Sequence, residues 1–428
     1  MDGHCTGRGH TASANGPNSN NRSSSDMKVL LTGASGFIGR ELMRELLKRG
    51  HDVVATSSRT RKSDDPRVSW IKADFTDPKV NRPNFWRAVI RAHEVDAVIN
   101  NAGIFEENLE RKSSFETVNF HAAVALAEGA GKAGVGRFIQ MSSAVAGKSY
   151  AGKVGYGSSK RQADDYIQGK RDLNWTIVRP DIVYSAESWG HKMSMDDIAA
   201  MPIVPILGKG QTRMQPIHVR DVAKAARLVE SDAAKHQVLD ASGPESIKMI
   251  DLLRTLKEAR GETFRTMPMS LRAAEAFVKS YPAGAANQDF IKMLREEIQV
   301  VHPHHNPEPF AKAVGAKRLR TVADTYAKAG DIKFRKAPLG ELIGMVIKRP
   351  GALCHVVRDL IMGVRDNMKE RGERLKAAFR HDAHATQRAM GLRDNDAVSR
   401  DDLHAYGAAP PAPPKQDGDA PRKTAKLG

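Results

Sequence analysis

At 428 residues the chain is long enough for one large domain with additions or for two, and its 40% hydrophobic content is that of a globular protein. No stretch approaches the ~18 apolar residues of a spanning helix, and Cys5 and Cys354, the only cysteines, argue against a disulfide framework or a cysteine metal site and fit a reducing compartment. A formal charge of +17 favours anionic partners, whether nucleotide phosphate, acidic lipid or nucleic acid, so where that charge sits decides its meaning.

Residues 1–26 are rich in Ser, Asn, Gly and Thr and almost without apolar side chains, which predicts a disordered tail. They hold no apolar core of a secretory signal, and Arg8 and Arg22 are too few for an organellar presequence, so a cytoplasmic location is expected. Val29, Leu30 and Leu31 then suit a buried parallel strand. The turn Thr32-Gly33-Ala34-Ser35-Gly36-Phe37-Ile38-Gly39 follows, and from Phe37 the apolar residues Phe37, Ile38, Leu42, Leu46 and Leu47 take up helical spacing. A strand, a glycine-rich turn and a helix make the first unit of a dinucleotide fold. Gly33 allows the tight turn, Gly36 clears the approach of a pyrophosphate, and Gly39 lets the helix close on the strand. Gly33, Ser35, Gly36, Phe37, Ile38 and Gly39 are therefore the expected phosphate-side contacts, with the free N–H groups of the helix start aimed at the phosphates.

Val53 to Thr56 form a second strand, and its end should select the cofactor. An acidic residue there would bind the ribose 2′-hydroxyl of NAD, whereas a nearby arginine would accept the 2′-phosphate of NADP. The chain carries Ser57-Ser58-Arg59, then Arg61 and Lys62, with no carboxylate at the strand end. NADP(H) is expected through Ser57 and Arg59, with NAD(H) as the alternative. A third strand, 68–74, ends at Asp74, where a carboxylate could hydrogen-bond the adenine amine. A fourth, 95–99, runs into Asn100-Asn101-Ala102-Gly103. The glycine turn, Asp74 and the Asn-Asn-Ala-Gly stretch resemble the short-chain dehydrogenase/reductase superfamily. That resemblance implies that Asn101, Ala102 and Gly103 line the cofactor.

A helix is expected over 115–133, including Asn119, and a fifth strand over 137–143. Downstream, Tyr156 and Lys160 stand four residues apart, on one face if the segment is helical. A phenol near pKa ~10 is a poor proton-transfer group at neutral pH; a neighbouring ammonium should favour phenolate and lower it. This resembles the superfamily's Tyr-x-x-x-Lys, which implies Tyr156 and Lys160 as catalytic and cofactor-binding residues and Ser143, thirteen residues earlier, as the partner of the substrate carbonyl. Asn119 as a fourth member is a weaker expectation, because a helix asparagine is more often structural. The sixth strand and its loop, 175–183, place Pro180 beside the nicotinamide pocket, with Ile182 and Val183 able to cover the ring.

Pro205-Ile206-Leu207-Gly208-Lys209-Gly210 and Gln215-Pro216-Ile217-His218-Val219 resemble the extended or atypical branch of the superfamily, most of all the proteins like the nucleotide-binding accessory subunit of respiratory complex I. In that branch a smaller lobe closes over the substrate. His218 is expected to pack or to mark a domain hinge rather than to catalyse. His302-Pro303-His304-His305 lies among prolines with no acid or cysteine at ligand spacing and reads as a loop, so no metal is expected.

The expected fold is α/β: a Rossmann-type doubly wound parallel sheet with a small substrate lobe and a helical C-terminal extension. The domains are a tail over 1–26, a dinucleotide-binding domain over 27–330 with its lobe mainly in 186–216 and 240–330, a basic helical extension over 331–392, and a second disordered tail over 393–428. In the extension Leu353, Val356, Val357, Leu360, Ile361, Val364 and Met368 share one face, followed by Arg371, Arg374, Lys376 and Arg380. Packing on the dehydrogenase domain or on a homodimer partner is one use of it. Peripheral docking through 338–381 on an anionic membrane or a respiratory complex is the other. Aromatic residues are too sparse among the basic ones for a nucleic-acid stacking platform.

Three functions fit these residues. They are an NAD(P)(H)-dependent oxidoreductase on a small-molecule carbonyl or secondary alcohol, an NAD-dependent sugar-nucleotide epimerase or dehydratase, and a noncatalytic cofactor-holding subunit or assembly factor. Intact Ser143, Tyr156 and Lys160 favour an enzyme. The absence of an Asp-Glu pair after the serine and of an acid at the second strand's end favours the oxidoreductase.

Overall fold

Short apolar strands alternating with amphipathic helices can bury both strand faces only in a parallel sheet covered on each side. The computed structural model describes residues 26–186, 199, 201–270, 292, 293, 295, 296 and 305–327. In chain order its strands are β1 Lys28–Thr32, β2 Asp52–Ser57, β3 Val68–Lys72, β4 Ala97–Asn100, β5 Arg137–Met141, β6 Trp175–Pro180, β7 Val183–Tyr184, β8 Val204–Leu207, β9 Arg213–Met214, β10 Ile217–His218, β11 Gln237–Ala241, β12 Ile247–Lys248 and β13 Thr266–Met269. Seven of them form one parallel sheet in the order β11-β6-β5-β4-β1-β2-β3. Strand order reverses between β1 and β4, where Thr32 lies beside Asn100. Successive connections leave that point for opposite faces, so a crevice opens at the carboxyl ends of these two strands.

The helices are α1 Phe37–Lys48, α2 Pro83–Ala92, α3 Ala122–Ala133, α4 Ala144–Gly147, α5 Gly155–Gln168, α6 Val219–Val222, α7 Met249–Ala259, α8 Glu308–Ala313 and α9 Val322–Tyr326. Alternation along β1 divides the core. Val29 and Leu31 face one layer, with Leu42 and Leu46 of α1, Val222 of α6 and Leu228 of a following 3₁₀ turn. Leu30 faces the other, with Trp86 and Ile90 of α2, Leu126 of α3 and Ile167 of α5. Proline at the start of α2 costs nothing there, because that N–H has no helical acceptor.

A third core belongs to the lobe: Tyr184, Val204, Ile206, Leu252, Leu253, Leu256, Val322 and Tyr326. Two short pairings support it, β8 with β13 in parallel and β9 with β12 antiparallel. Of the stretch expected in the lobe, Asp240 and Ala241 end β11 of the main sheet, and Phe310 and Val314 pack into the α1-side core. Residues 305–327 therefore run from the main core to the lobe core. Arg320 fixes that passage, donating from its backbone N and from Nη1 to the buried Asp221 at 2.7 Å each.

The helix expected over 115–133 is two pieces, a π turn at Glu116–His121 that leads into α3. The strand expected over 175–183 stops at Pro180, and Val183–Tyr184 pairs separately with β10. The tail over 1–25, the extension over 331–392, the tail over 393–428, His302 and His304 lie outside the described residues.

Candidate active site

The glycine turn sits at the crevice. Gly33 has φ +62°, and a side chain there would strike the Asn101 carbonyl oxygen at 2.6 Å. Only glycine satisfies both demands. At Gly39 a Cβ would lie 2.1 Å from the Gly33 carbonyl oxygen, so α1 is pressed against the turn as closely as backbone permits. Gly36 precedes α1 and provides no side-chain cap, the first turn holds no acid, and the first helical bond runs from Arg40 N to Gly36 O at 3.1 Å. The N–H groups of Phe37, Ile38 and Gly39 consequently have no acceptor within the helix, and with Ser35 they form the anion-receptive end expected of this motif.

Across the crevice a buried polar chain fixes the end of β4. Thr32 Oγ1 donates to Asn100 Oδ1 at 2.6 Å, and Asn100 Nδ2 donates to Gln140 Oε1 at 2.8 Å. The same threonine oxygen accepts from the N–H groups of Asn101 at 3.0 Å and Ala102 at 3.1 Å. Asn101 Nδ2 also donates to Gly33 O at 3.3 Å. The Asn101-Ala102-Gly103 segment is thus held against the glycine turn, with Gly103 exposed.

Tyr156 and Lys160 lie one turn apart near the start of α5, as their spacing requires. Ser143 ends β5 and caps α4, its Oγ accepting from Val145 N at 3.3 Å, and a side-chain hydrogen bond joins Ser143 to the Tyr156 phenol. Phe105 meets the Tyr156 ring edge-on at 4.8 Å between centroids, and Phe115 does so at 5.9 Å. Lys160 is 5% exposed. Its Nζ lies beneath Gly103, where an added Cβ would stand 2.8 Å away. Asn119 is buried and clamps the neighbouring backbone: Oδ1 accepts from Ile104 N at 2.9 Å, and Nδ2 donates to Ile104 O at 3.0 Å.

Burial pulls Lys160 down to about 8 against the attraction of Asp164. Burial also pushes the Tyr156 phenol above its ordinary value, opposed by its hydrogen bond with Ser143 and reinforced by the Asp164 charge. This corrects the expectation that the ammonium lowers the phenol. In the cofactor-free site desolvation wins, and the phenol keeps its proton at neutral pH.

The geometry agrees with the comparisons. Residues 29–239 match the model of the NAD dependent epimerase/dehydratase family. A UDP-glucose 4-epimerase of Klebsiella pneumoniae is 31% identical over 125 residues, 28% of this chain and 90% of that relative. The chain belongs to the NAD-dependent epimerase/dehydratase family. It is also similar to the NADH dehydrogenase [ubiquinone] 1 alpha subcomplex subunit 9 of Arabidopsis thaliana, at 27% identity over 60% of this chain and 62% of that protein. A ceramide reductase of Caulobacter vibrioides is 32% identical over 47% of this chain and 59% of its own length. Both the family and the resemblance to complex I subunits agree with the sequence motifs. Among solved structures, the Bordetella bronchiseptica enzyme WbmH in complex with NAD+ shares the fold with a TM-score of 0.53 at 17% identity, covering 71% of this chain and 96% of that one.

A family dinucleotide fits this chain's crevice: the uncapped N–H groups suit a pyrophosphate, and the side-chain-free Gly103 leaves the Lys160 ammonium within reach of a ribose. At the end of β2 the structure supplies cations. The Ser57 hydroxyl accepts from Arg59 N at 3.3 Å and from Arg61 Nε at 3.2 Å, and the Arg61 guanidinium lies 5.6 Å over the Trp70 ring. Arg61 thus has its side chain anchored beside Ser57, whereas Arg59 meets the same hydroxyl through its backbone N–H. Past β3, Asp74 Oδ1 accepts from Thr76 N and Thr76 Oγ1 at 2.9 and 2.8 Å. Pro180 is buried at the end of β6, and Val183 stands half-buried beside Ile217.

His218 caps α6, its Nδ1 accepting from Arg220 N at 3.2 Å. Burial first, then the Arg320 charge, pull its pKa down to about 4. Gln215 clamps His305 by its backbone, Nε2 donating to O at 2.7 Å and Oε1 accepting from N at 3.0 Å. The Gln-Pro-Ile-His stretch therefore holds residues 305–327 to the sheet. Among the described residues no group of His, Cys, Asp and Glu is placed to hold a metal, and no helix is long and apolar enough to cross a membrane. Phe105 and Asp164 were missed by sequence reasoning. Phe105 follows the Ala-Gly pair, a position that could have marked it.

Proposed function

We propose that the protein is an NADP(H)-dependent oxidoreductase that interconverts a carbonyl and a secondary alcohol and acts chiefly as a reductase. The observation that carries this reading is the hydrogen-bonded Ser143–Tyr156 pair above a buried Lys160, with the phenol held protonated. The bound dinucleotide supplies the hydride. Ser143 orients the substrate carbonyl by its hydroxyl, and Tyr156 gives its proton to the oxygen on which negative charge develops. A phenol that carries its proton at neutral pH can give it to that oxygen, as reduction requires. Lys160 holds the cofactor ribose and, once that contact fixes its charge, stabilises the phenolate left after proton transfer. Gly33, Ser35, Gly36, Phe37, Ile38 and Gly39 take the pyrophosphate, Asp74 the adenine, and Asn101, Ala102, Gly103, Pro180 and Val183 the nicotinamide side. Ser57 with Arg59 and Arg61 reads the 2′-phosphate.

The ceramide reductase likeness supports the reductase reading. The epimerase reading keeps independent support, because the chain matches a UDP-glucose 4-epimerase of Neisseria meningitidis along 98% of that relative's length at 24% identity. Consumption of cofactor separates them. A reductase oxidises NADPH in proportion to the alcohol formed, seen at 340 nm, whereas an epimerase converts a UDP-hexose with no net change in cofactor. If neither reaction occurs across broad panels of carbonyls and sugar nucleotides while NADPH binds, the noncatalytic subunit reading replaces both.

A further inference from the structure

We propose that Asp164 is a positioning residue of this site, a buried carboxylate that keeps Lys160 charged and locks together the strand ends flanking the tyrosine. The inference rests on reading Lys160 as the ammonium that contacts the cofactor.

Tyr156, Lys160 and Asp164 follow one another at four-residue steps along α5 and so share a face, with consecutive Cβ atoms roughly 5–6 Å apart. Asp164 is 0% exposed. Its Oδ2 accepts from Ser142 Oγ and from Arg179 Nε, each at 2.9 Å. Ser142 directly precedes Ser143, and Arg179 directly precedes Pro180. One carboxylate thus ties α5 to the ends of both β5 and β6. Its second oxygen, Oδ1, is buried with no hydrogen-bond partner among the described residues. Leaving a carboxylate oxygen so placed is costly, and Lys160 lies one turn earlier on the same face of the helix.

The groups around Lys160 leave Asp164 this task. Gly103 and Asn119 are uncharged, Tyr156 keeps its proton, and Arg179 stands across the carboxylate, bonded to it. Burial disfavours the ammonium, and Asp164 is the charge that opposes this. Burial also pushes the Asp164 carboxyl above its ordinary value, opposed first by the Arg179 charge and then by the hydrogen bonds from Ser142 and Arg179. Without it, Lys160 would lose its proton at a lower pH and could no longer serve as a cation at neutrality.

The test is the pH dependence of NADPH binding to the full chain, followed by cofactor fluorescence between pH 6.5 and 10. Wild type should show affinity falling through a midpoint near 8 as Lys160 deprotonates. Asp164→Asn should bind at least fivefold more weakly at pH 7 and move the midpoint downward by about one unit, and Asp164→Glu should restore it. Because Asp164→Asn leaves Arg179 buried without its partner, the double variant with Arg179→Gln provides a second reading and should show the same downward move. Ser142→Ala removes a hydrogen bond without removing the charge and should leave the midpoint near that of wild type. An unmoved midpoint in either Asn variant overturns the role of Asp164. A wild-type profile flat across this range removes Lys160 from cofactor contact, and the inference falls with it.

Discussion

Replacing Lys160 by methionine should make the cofactor-free protein more stable at neutral pH. Lys160 is almost wholly buried, and its pKa falls from 10.5 to about 8. Each pKa unit corresponds to about 1.4 kcal/mol, so burying the charged form costs on the order of 3 kcal/mol. The sign follows from proton binding. Between pH 8 and 10.5 the unfolded chain holds a proton that the folded protein has released, so wild-type stability gains from rising pH over that window. The full cost is present below pH 8. Methionine fills a similar volume without charge, so Lys160→Met should gain roughly 3 kcal/mol at pH 7, about 5–10 °C in melting temperature, and lose most of that gain by pH 10.5. Urea unfolding followed by tryptophan fluorescence at pH 7 and pH 10 measures both ends. A variant less stable than wild type at pH 7, or an equal difference at both pH values, would refute the electrostatic reasoning. The same substitution should cripple NADPH binding, as expected where function requires a destabilising group.

Other outcomes follow from the same contacts. Gly39→Ala drives a methyl into the Gly33 carbonyl at 2.1 Å and should cost more than about 1–3 kcal/mol of stability, with at least tenfold weaker dinucleotide binding by titration. NADPH should bind about tenfold or more tightly than NADH, because a charge-assisted contact to the 2′-phosphate contributes roughly 1.5–3 kcal/mol. Arg61→Ala should narrow that gap more than Arg59→Ala and leave NADH affinity intact; equal NADPH and NADH dissociation constants in wild type would defeat the assignment. From the sequence alone, residues 338–381 are proposed to dock on an anionic membrane, each basic residue contributing about 1 kcal/mol. The full chain should float with acidic liposomes at moderate salt and a truncated chain ending at Ala329 should not; identical behaviour would end the membrane proposal.

The dinucleotide half of the fold was legible because its signals are local. At Gly33-Ala34-Ser35-Gly36 the apolar period changes from strand to helix within a few residues, and the glycines fix the turn between them. Ser143, Tyr156 and Lys160 were legible by spacing. The elements that escaped depend on packing. The strand Gln237–Ala241 is only five residues long, with Gln237 and Asp240 interrupting its apolar residues, and it is not distinguishable from a loop until β6 is beside it. Helix Pro83–Ala92 is short and follows a proline-bearing loop, and its burial of Trp86 becomes evident only against α3. The π turn at Glu116–His121 leaves no trace in a hydrophobic pattern. In the site, a helix acid such as Asp164 reads as solvent-facing until Ser142 and Arg179 converge on it. The choice between Arg59 and Arg61 depends on how the backbone leaves β2 and on the Trp70 ring. The direction of the phenol's shift is not legible in the sequence, because spacing reveals the neighbouring ammonium but not the burial that raises the phenol.

The central claim is that Tyr156 gives the proton that accompanies carbonyl reduction. The most direct test is single-turnover NADPH oxidation by wild type and Tyr156→Phe with one reducible carbonyl, with NADPH affinity titrated on the same samples. The account predicts that the variant binds NADPH within about twofold of wild type and loses at least 100-fold in rate. A Tyr156→Phe protein that reduces the carbonyl within tenfold of the wild-type rate contradicts it.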